Sequence, residues 1–157
     1  MRLATGILVG IVCCLLGACL HPTKVYHRSE TVRVDGWSSE DTLIFALDSL
    51  VPTHYLMEAE VRYTADYPYQ DLWLVVQHNL ADSSVWVRDS VRCTLVSERG
   101  YIQGVGVSGL YQLQVPFKEI EVRKGGSAPL VRLSHCMNGL LKGISDVGLS
   151  LERVEYK

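Results

Sequence analysis

The chain has 157 residues, with 15 Lys and Arg against 17 Asp and Glu, and a formal net charge of −2 at pH 7. This length suits one domain with a substantial core. The near balance of charge, without a basic stripe, argues against a nucleic-acid partner. The Cys and His residues lack the C-x-x-C or paired His spacing that is typical of metal sites, so we expect no metal and no other cofactor.

The N-terminal segment has the pattern of a lipoprotein signal peptide. Arg2 supplies a positive start, residues 3–16 are apolar and uncharged, and the sequence LGAC at 16–19 matches the bacterial lipobox. The pattern predicts that residues 1–18 are cleaved off and that Cys19 carries acyl chains, palmitate among them, which tether the protein to a membrane. The alternative is an uncleaved transmembrane anchor, for which the apolar segment is short.

The predicted mature chain consists of a tether and one domain. Residues 19–29, with Pro22 and few apolar side chains, are predicted to be a lipidated tether, and residues 30–157 a single β domain. No acidic run follows Cys19, which favours an anchor facing the periplasm over export to the cell surface.

The rest of the chain alternates apolar and polar residues with a period of two, which is typical of half-buried antiparallel strands. No stretch has the spacing of an amphipathic helix. The pattern predicts an all-β fold, an antiparallel, jelly-roll-like β-sandwich of about eight strands. We predict one strand at Val32 and Val34 and the others at 43–47, 55–63, 72–77, 85–96, 111–122, 130–136 and 147–151.

Three details of these strands follow from their apolar phase. The phase shifts by one residue at Ile120, as a β-bulge produces. The continuous apolar run 72–77 suggests a strand covered on both faces, so Trp73 is expected to be buried. Cys93 falls on the inward face and Cys136 does not, so two free thiols are favoured over the disulfide that an oxidising compartment would permit.

The sequence offers no pattern of a nucleotide site or an active site. Residues 104–109 fit the G-x-G-x-x-G spacing, but a dinucleotide site needs that turn to open a helix, and residues 111–117 read as a strand. We therefore interpret these glycines as tight turns. Neither a nucleophile with a base nor a pair of carboxylates is evident, so the sequence predicts a protein that is not an enzyme.

Residues 66–73 (DYPYQDLW) concentrate aromatic side chains in one connection between strands. They can form a rigid corner whose rings cover the end of the core and whose Tyr hydroxyls bond to the backbone. The functional interpretation is a partner-binding patch of Tyr67, Pro68 and Tyr69, with an outward-facing Trp86 as a further contact, because exposed aromatic side chains concentrate interface energy.

The order of these features resembles the gliding motility lipoprotein GldH family of the Bacteroidetes. The resemblance rests on the lipobox at Cys19, on residues 61–74 with a pattern like R-n-x-x-x-Y-P-Y-x-N-L-W, on the glycine-rich residues 100–111, and on residues 141–149, close to L-x-G-I-x-D-V-G-L. The chain departs from the family pattern at Asp71 in place of Asn, Ile102 in place of Trp and Asn138 in place of Arg.

The resemblance implies a small all-β lipoprotein of the cell envelope, anchored in the outer membrane, without catalytic residues. It implies a non-enzymatic accessory to the gliding or type IX secretion machinery, in contact with other envelope lipoproteins or with secretion and motility subunits. The alternative from the residues themselves is a glycan- or ligand-binding module of a surface uptake system. Its candidate stacking residues are Trp37, Trp73 and Trp86, of which Trp86 is expected to face outward.

Overall fold

Alternating apolar residues fold the chain into nine strands and, within the described residues, no helix. The computed structural model describes residues 24–48, 50–82, 84–123 and 129–155, so the predicted signal peptide and Cys19 lie outside it. No helix in this part of the chain is long and apolar enough to cross a membrane. The strands are β1 (Lys24–Thr31), β2 (Leu43–Ala46), β3 (Thr53–Thr64), β4 (Asp71–His78), β5 (Val87–Thr94), β6 (Val105–Val107), β7 (Leu110–Val122), β8 (Leu130–His135) and β9 (Ile144–Arg153).

The strands form two antiparallel sheets. One has the order β1-β9-β3-β7-β6 and the other β2-β8-β4-β5. Without β6, this is the strand order of an eight-stranded jelly roll. The predicted fold class is therefore confirmed, although the sequence pattern did not reveal β6 and misplaced the first strand.

The core lies between the two sheets and follows the predicted alternation. Every second residue of β3 from Tyr55 to Tyr63 is buried, and Leu72, Leu74 and Val76 of β4 face them from the other sheet. The polar residues between them point outward, because successive side chains of a strand alternate between faces. The sandwich is thus held by the inner faces of both sheets.

The first strand differs from the prediction. Residues 24–29, predicted as tether, belong to β1, whereas Val34, predicted in a strand, lies beyond the end of β1 and is fully exposed. In the described part of the chain, β1 is the edge strand of its sheet and pairs with β9 alone. Its side chains are mostly exposed and polar, so its sequence carries little of the alternation that burial imposes.

The predicted bulge is present in β7. Met57 is aligned with Lys118 and Glu58 with Pro116, so Phe117 is an extra residue on one strand of the pair. The extra residue reverses the apolar phase before Ile120. Pro116 is tolerated beside it because a bulge interrupts the ladder of hydrogen bonds.

Both cysteines of the domain are free thiols, as predicted. Cys93 is fully buried and Cys136 is exposed. Burial raises the pKa of the Cys93 thiol to about 12. Since the thiolate is the reactive form, Cys93 acts as a small apolar core residue.

Candidate functional site

The strand register defines two ends of the sandwich. Lys24 is aligned with Glu152, and Glu152 with Leu56; we call this the Lys24 end. The turn between β6 and β7 marks the opposite end, which we call the hairpin end. β3 runs from one to the other, and its 12 residues separate the ends by about 35 Å.

The aromatic connection forms a tight corner at the hairpin end. Tyr67 is only 7% exposed, and its hydroxyl donates a hydrogen bond to the Asp71 carbonyl at 3.0 Å. Burial raises the pKa of Tyr67, so the hydroxyl remains a donor. Tyr69 meets the Tyr67 ring edge-on at a centroid distance of 5.7 Å and is itself exposed, as is Pro68. Tyr67 therefore builds the corner, and its two neighbours present the surface.

Residues 141–149 pack against this corner through Gly143. Its carbonyl accepts a hydrogen bond from the Thr64 N–H at 2.8 Å, and its φ is +81°. A Cβ on Gly143 would lie 2.4 Å from the backbone nitrogen of Tyr67. Only glycine combines this φ with so close an approach of two backbones.

The glycine-rich residues 100–111 are bound to the same end. The Gln103 N–H and the Tyr63 hydroxyl both donate to the Leu95 carbonyl at 2.8 Å, and the Leu95 N–H donates to the Gln70 carbonyl at 2.8 Å. Ile102 and Tyr67 line a common cavity of about 110 Å³. The hairpin end thus joins the three segments of the domain on which the family resemblance rests.

A two-residue turn connects β6 to β7 within the glycine-rich segment. Ser108 and Gly109 have φ values of +53° and +82°, as a type I′ turn requires. Val107 is aligned with Leu110 across the turn. A strand, not a helix, follows residues 104–109, as predicted, so the segment lacks the helix N-terminus that a dinucleotide phosphate needs.

Among the described residues, most of the large apolar side chains that are exposed lie at the hairpin end. Residues 100–117 contain no charged side chain and no His. A groove of about 600 Å³ runs beside the hairpin, and Arg62 is the one charged residue among those that line it. The exposed apolar side chains at this end are Val34, Tyr69, Tyr101, Ile102, Val105, Val107, Leu110 and Leu140.

A second aromatic surface lies on the outer face of the four-stranded sheet. Trp73, expected to be buried, is 40% exposed, because Leu72 and Leu74 turn inward and leave the residue between them on the outer face. Trp86 is 42% exposed, as expected, and the Arg132 guanidinium lies 4.2 Å from its ring centre. This contact has cation–π geometry. Two of the three tryptophans therefore share one face.

The third tryptophan, Trp37, is fully buried and belongs to the core. Its indole N–H donates to the Asp41 carbonyl at 2.8 Å, and its ring meets the His135 ring at 4.8 Å. His135 accepts a hydrogen bond from the Met137 N–H at Nδ1, so its Nε2–H donates to the Trp37 carbonyl. Burial lowers the pKa of His135 and keeps the ring neutral.

A buried carboxylate on the outer face of the five-stranded sheet was not predicted. Glu60 is 1% exposed, and its oxygens accept hydrogen bonds from His27 at 2.9 Å, Gln114 at 3.1 Å and Ser29 at 3.2 Å. Burial alone would raise its pKa, but these donors together hold it below its usual value. The sequence feature that could have indicated this buried carboxylate is Gly148. It is aligned with Glu60, and its missing side chain leaves room for the carboxylate between the strands.

A polar cluster closes the side of the sandwich between β5 and β7. The Lys118 ammonium donates to both carboxylate oxygens of Asp89 at 2.9 and 2.8 Å, and His78 Nε2 lies 3.1 Å from the same carboxylate. His78 is 1% exposed, and burial lowers its pKa, although the Asp89 hydrogen bond acts the other way. The cluster ties the two sheets together.

The structure separates the residues predicted as one partner-binding set. Tyr67, Pro68 and Tyr69 lie together at the hairpin end, whereas Trp86 lies on the outer face of the four-stranded sheet. Cys19 lies outside the described residues. Within those residues, no three His, Cys, Asp or Glu side chains are placed to hold a metal ion.

A comparison with protein families finds that the family described as GldH lipoprotein matches residues 24–151, which include all of β1 to β8 and most of β9. No curated protein matches the sequence.

Proposed function

Because the chain belongs to the GldH lipoprotein family, we propose that it is a non-enzymatic docking protein, anchored by acylated Cys19 and accessory to the gliding or type IX secretion machinery. The observation that carries the proposal is the meeting of residues 65–70, 100–111 and 141–149 at the hairpin end. A surface built from three segments that are distant in sequence is suited to binding a partner protein.

The position of the predicted anchor supports docking at the hairpin end. Only residues 20–23 lie between Cys19 and β1, and such a segment reaches at most about 17 Å. The Lys24 end is therefore held beside the membrane. The hairpin end then points away from it, where a partner in the periplasm can reach it.

The chemistry of the hairpin end suits a protein partner. Tyr69 and Tyr101 are 44% and 68% exposed, and the neighbouring segment 100–117 is uncharged. Exposed aromatic side chains in an apolar surface are typical of binding hot spots. We expect the partners to be other lipoproteins of the outer membrane or subunits of the secretion and motility machinery.

A crosslinked pull-down from the native envelope tests this function. We expect the lipidated protein to recover such subunits, and the Cys19→Ala protein to lose them because it lacks the acyl anchor that places it in the outer membrane. The Tyr69→Ala, Tyr101→Ala double variant should lose the same partners while remaining in the envelope. Its matched control is Val25→Ala, Val51→Ala, which removes exposed apolar side chains at the Lys24 end. Equal loss with both double variants would contradict docking at the hairpin end.

A second candidate function is glycan binding, favoured by the exposed Trp73 and Trp86 on one sheet face. Indole rings stack on sugar rings, and Arg132 beside Trp86 would attract acidic sugars. Titration with neutral and acidic polysaccharides should quench the fluorescence of these two tryptophans and leave that of buried Trp37. A flat response across the panel would exclude this function, and it would leave the docking proposal intact.

A further inference from the structure

The short strand β6 is an open edge of the five-stranded sheet. Its pairing partner is β7, and it ends the strand order of the described sheet. Val105 and Val107 are 78% and 76% exposed. An edge strand offers a row of backbone donors and acceptors to any segment that can lie beside it.

The turn geometry determines which backbone groups face outward. In a two-residue hairpin the residues that flank the turn, here Val107 and Leu110, exchange both hydrogen bonds. Inward and outward backbone groups then alternate along the strand, so the N–H and C=O of Gly106 point away from β7. An added strand would find its first pair of hydrogen bonds at Gly106.

Its shortness is the one common form of edge protection that β6 has. Soluble proteins keep open edge strands very short or place charges, Pro or bulges on them, and β6 has three residues. β6 has the sequence VGV, without a bulge in its pairing with β7. Among the described residues, the groove beside it is lined by the same two valines, by Leu110, Tyr111 and Leu113, and by the polar Gln112 and Gln114, with Arg62 as the one charged residue. The edge and its groove therefore match an uncharged, apolar strand.

The direction of the strands excludes a second copy as the occupant. Two copies that join at β6 about a two-fold axis pair antiparallel, so their long axes point in opposite directions. The Lys24 end of each copy would then lie at opposite ends of the dimer, seven residues or about 23 Å beyond Gly106 on each side. Both tethers could enter one membrane only with the two copies lying flat on it, and not with the hairpin ends pointing away from it, as the proposed docking function requires.

We propose that β6 takes up an extended, uncharged segment of another envelope protein, which adds to the sheet as a strand and places alternate apolar side chains in the groove beside Val105 and Val107. The inference rests on the proposed docking function and names its contact. The partner's backbone supplies affinity at Gly106, and its apolar side chains supply specificity in the groove.

A photo-crosslinking amino acid at position 107 of the lipidated protein, in its native cells, tests the contact. We expect adducts to an uncharged apolar segment of another envelope protein, identified by mass spectrometry of the crosslinked peptide. The control carries the crosslinker at position 34, which is more exposed than position 107 (105% against 76%) and lies at the same hairpin end, but just beyond β1, the opposite edge strand of the same sheet. The Val105→Lys variant should lose the adducts, because a charge on the edge opposes strand addition, and this side chain is too exposed to matter for folding.

Amide hydrogen exchange supplies the second readout. A synthetic peptide with the crosslinked sequence should slow exchange of the Gly106 amide at least tenfold in the purified domain, and not in the Val105→Lys domain. Adducts to a second copy, to lipid or to glycan, or no adducts above the position-34 control, would overturn the proposal, as would an unchanged Gly106 amide. If the pull-down still depends on Tyr69 and Tyr101, the docking function stands and only strand addition fails.

Discussion

At the scale of single residues, Glu60 shows how an outward-facing position can become buried. It occupies a polar phase of β3, yet His27 and Ser29 from β1 and Gln114 from β7 surround its carboxylate. The neighbour that stands between β1 and β3 is Gly148, whose missing side chain lets Ser29 reach across. Hydrogen bonds to a charged group are among the stronger ones in proteins. The carboxylate therefore joins three strands on a face that no core stabilises.

We predict that Glu60→Gln lowers the free energy of unfolding by about 1–3 kcal/mol at pH 7, since hydrogen bonds to a charged group contribute about that much. The folded-state pKa lies below the ordinary value of 4.5, so the carboxylate's contribution is present above that value and is lost as pH falls through the lowered pKa. Urea denaturation should show the difference at pH 7, and the difference should shrink as the pH is lowered below 4.5. Glu40→Gln, at an exposed site, serves as the control.

The two buried histidines predict a second pH dependence. The pKa values of His78 and His135 lie below the ordinary 6.5, with burial as the main cause in both. Below pH 6.5 the unfolded chain therefore binds protons at these histidines more readily than the folded chain does. The free energy of unfolding decreases as the pH is lowered. Lys118 reinforces this effect at His78, whereas the carboxylate of Asp89 moderates it. NMR titration of both rings should give midpoints below 6.5; a midpoint at or above 6.5 for either ring contradicts the assignment.

At the scale of elements, the connection before β9 is fitted to the aromatic corner by Gly143. Gly139, in the same connection, has a similar positive φ of +77°, but a Cβ there would meet no atom within 4 Å beyond its own chain neighbours. A comparison of substitutions at these two glycines therefore distinguishes backbone strain from a steric clash. Strain in the left-handed region is common to both, and the clash with Tyr67 belongs to Gly143.

We expect Gly139→Ala to destabilise the domain by about 1 kcal/mol, the usual cost of a left-handed non-glycine residue. Gly143→Ala should cost about 1–3 kcal/mol more, because the backbone of the corner must move. Thermal unfolding of both variants measures the difference. Equal losses would show that the corner and the connection are not in firm contact.

Alternation of apolar and polar residues predicted the strands that have one buried face. It missed the strands whose side chains are mostly exposed. β3 has one buried and one exposed face, so its alternation is plain. β1 and β6 lie at sheet edges and bury little, so neither carries the pattern. The burial of Trp73 was predicted wrongly because this large apolar side chain lies on the outer face of its strand, where the pattern leads one to expect a polar residue. Periodicity reports burial, and an edge or an exposed aromatic surface falls outside what it can report.

At the scale of the whole molecule, strand parity brings the candidate site together. Consecutive antiparallel strands reverse direction, so the connections 65–70, 95–104 and 136–143 all return to the end opposite Lys24. Eight antiparallel strands in the predicted order already imply that these three connections lie at the same end of the sandwich. The direct contacts there, such as Gly143 against Tyr67, depend on pairings between distant strands, which one sequence read by its periodicity does not encode.

The direction of β1 has a mechanical consequence. β1 begins at Lys24 and runs alongside β9 toward the hairpin end. A partner that pulls on the hairpin end against a fixed tether would slide β1 lengthwise past β9, so the hydrogen bonds from Tyr26 to Thr31 would share the load instead of opening one after another. Force spectroscopy with handles at residues 24 and 109 should therefore need a higher rupture force than handles at 24 and 153, which peel the same pair apart from one end. Under the proposed anchoring and docking, the domain would therefore transmit tension between the membrane and the bound partner.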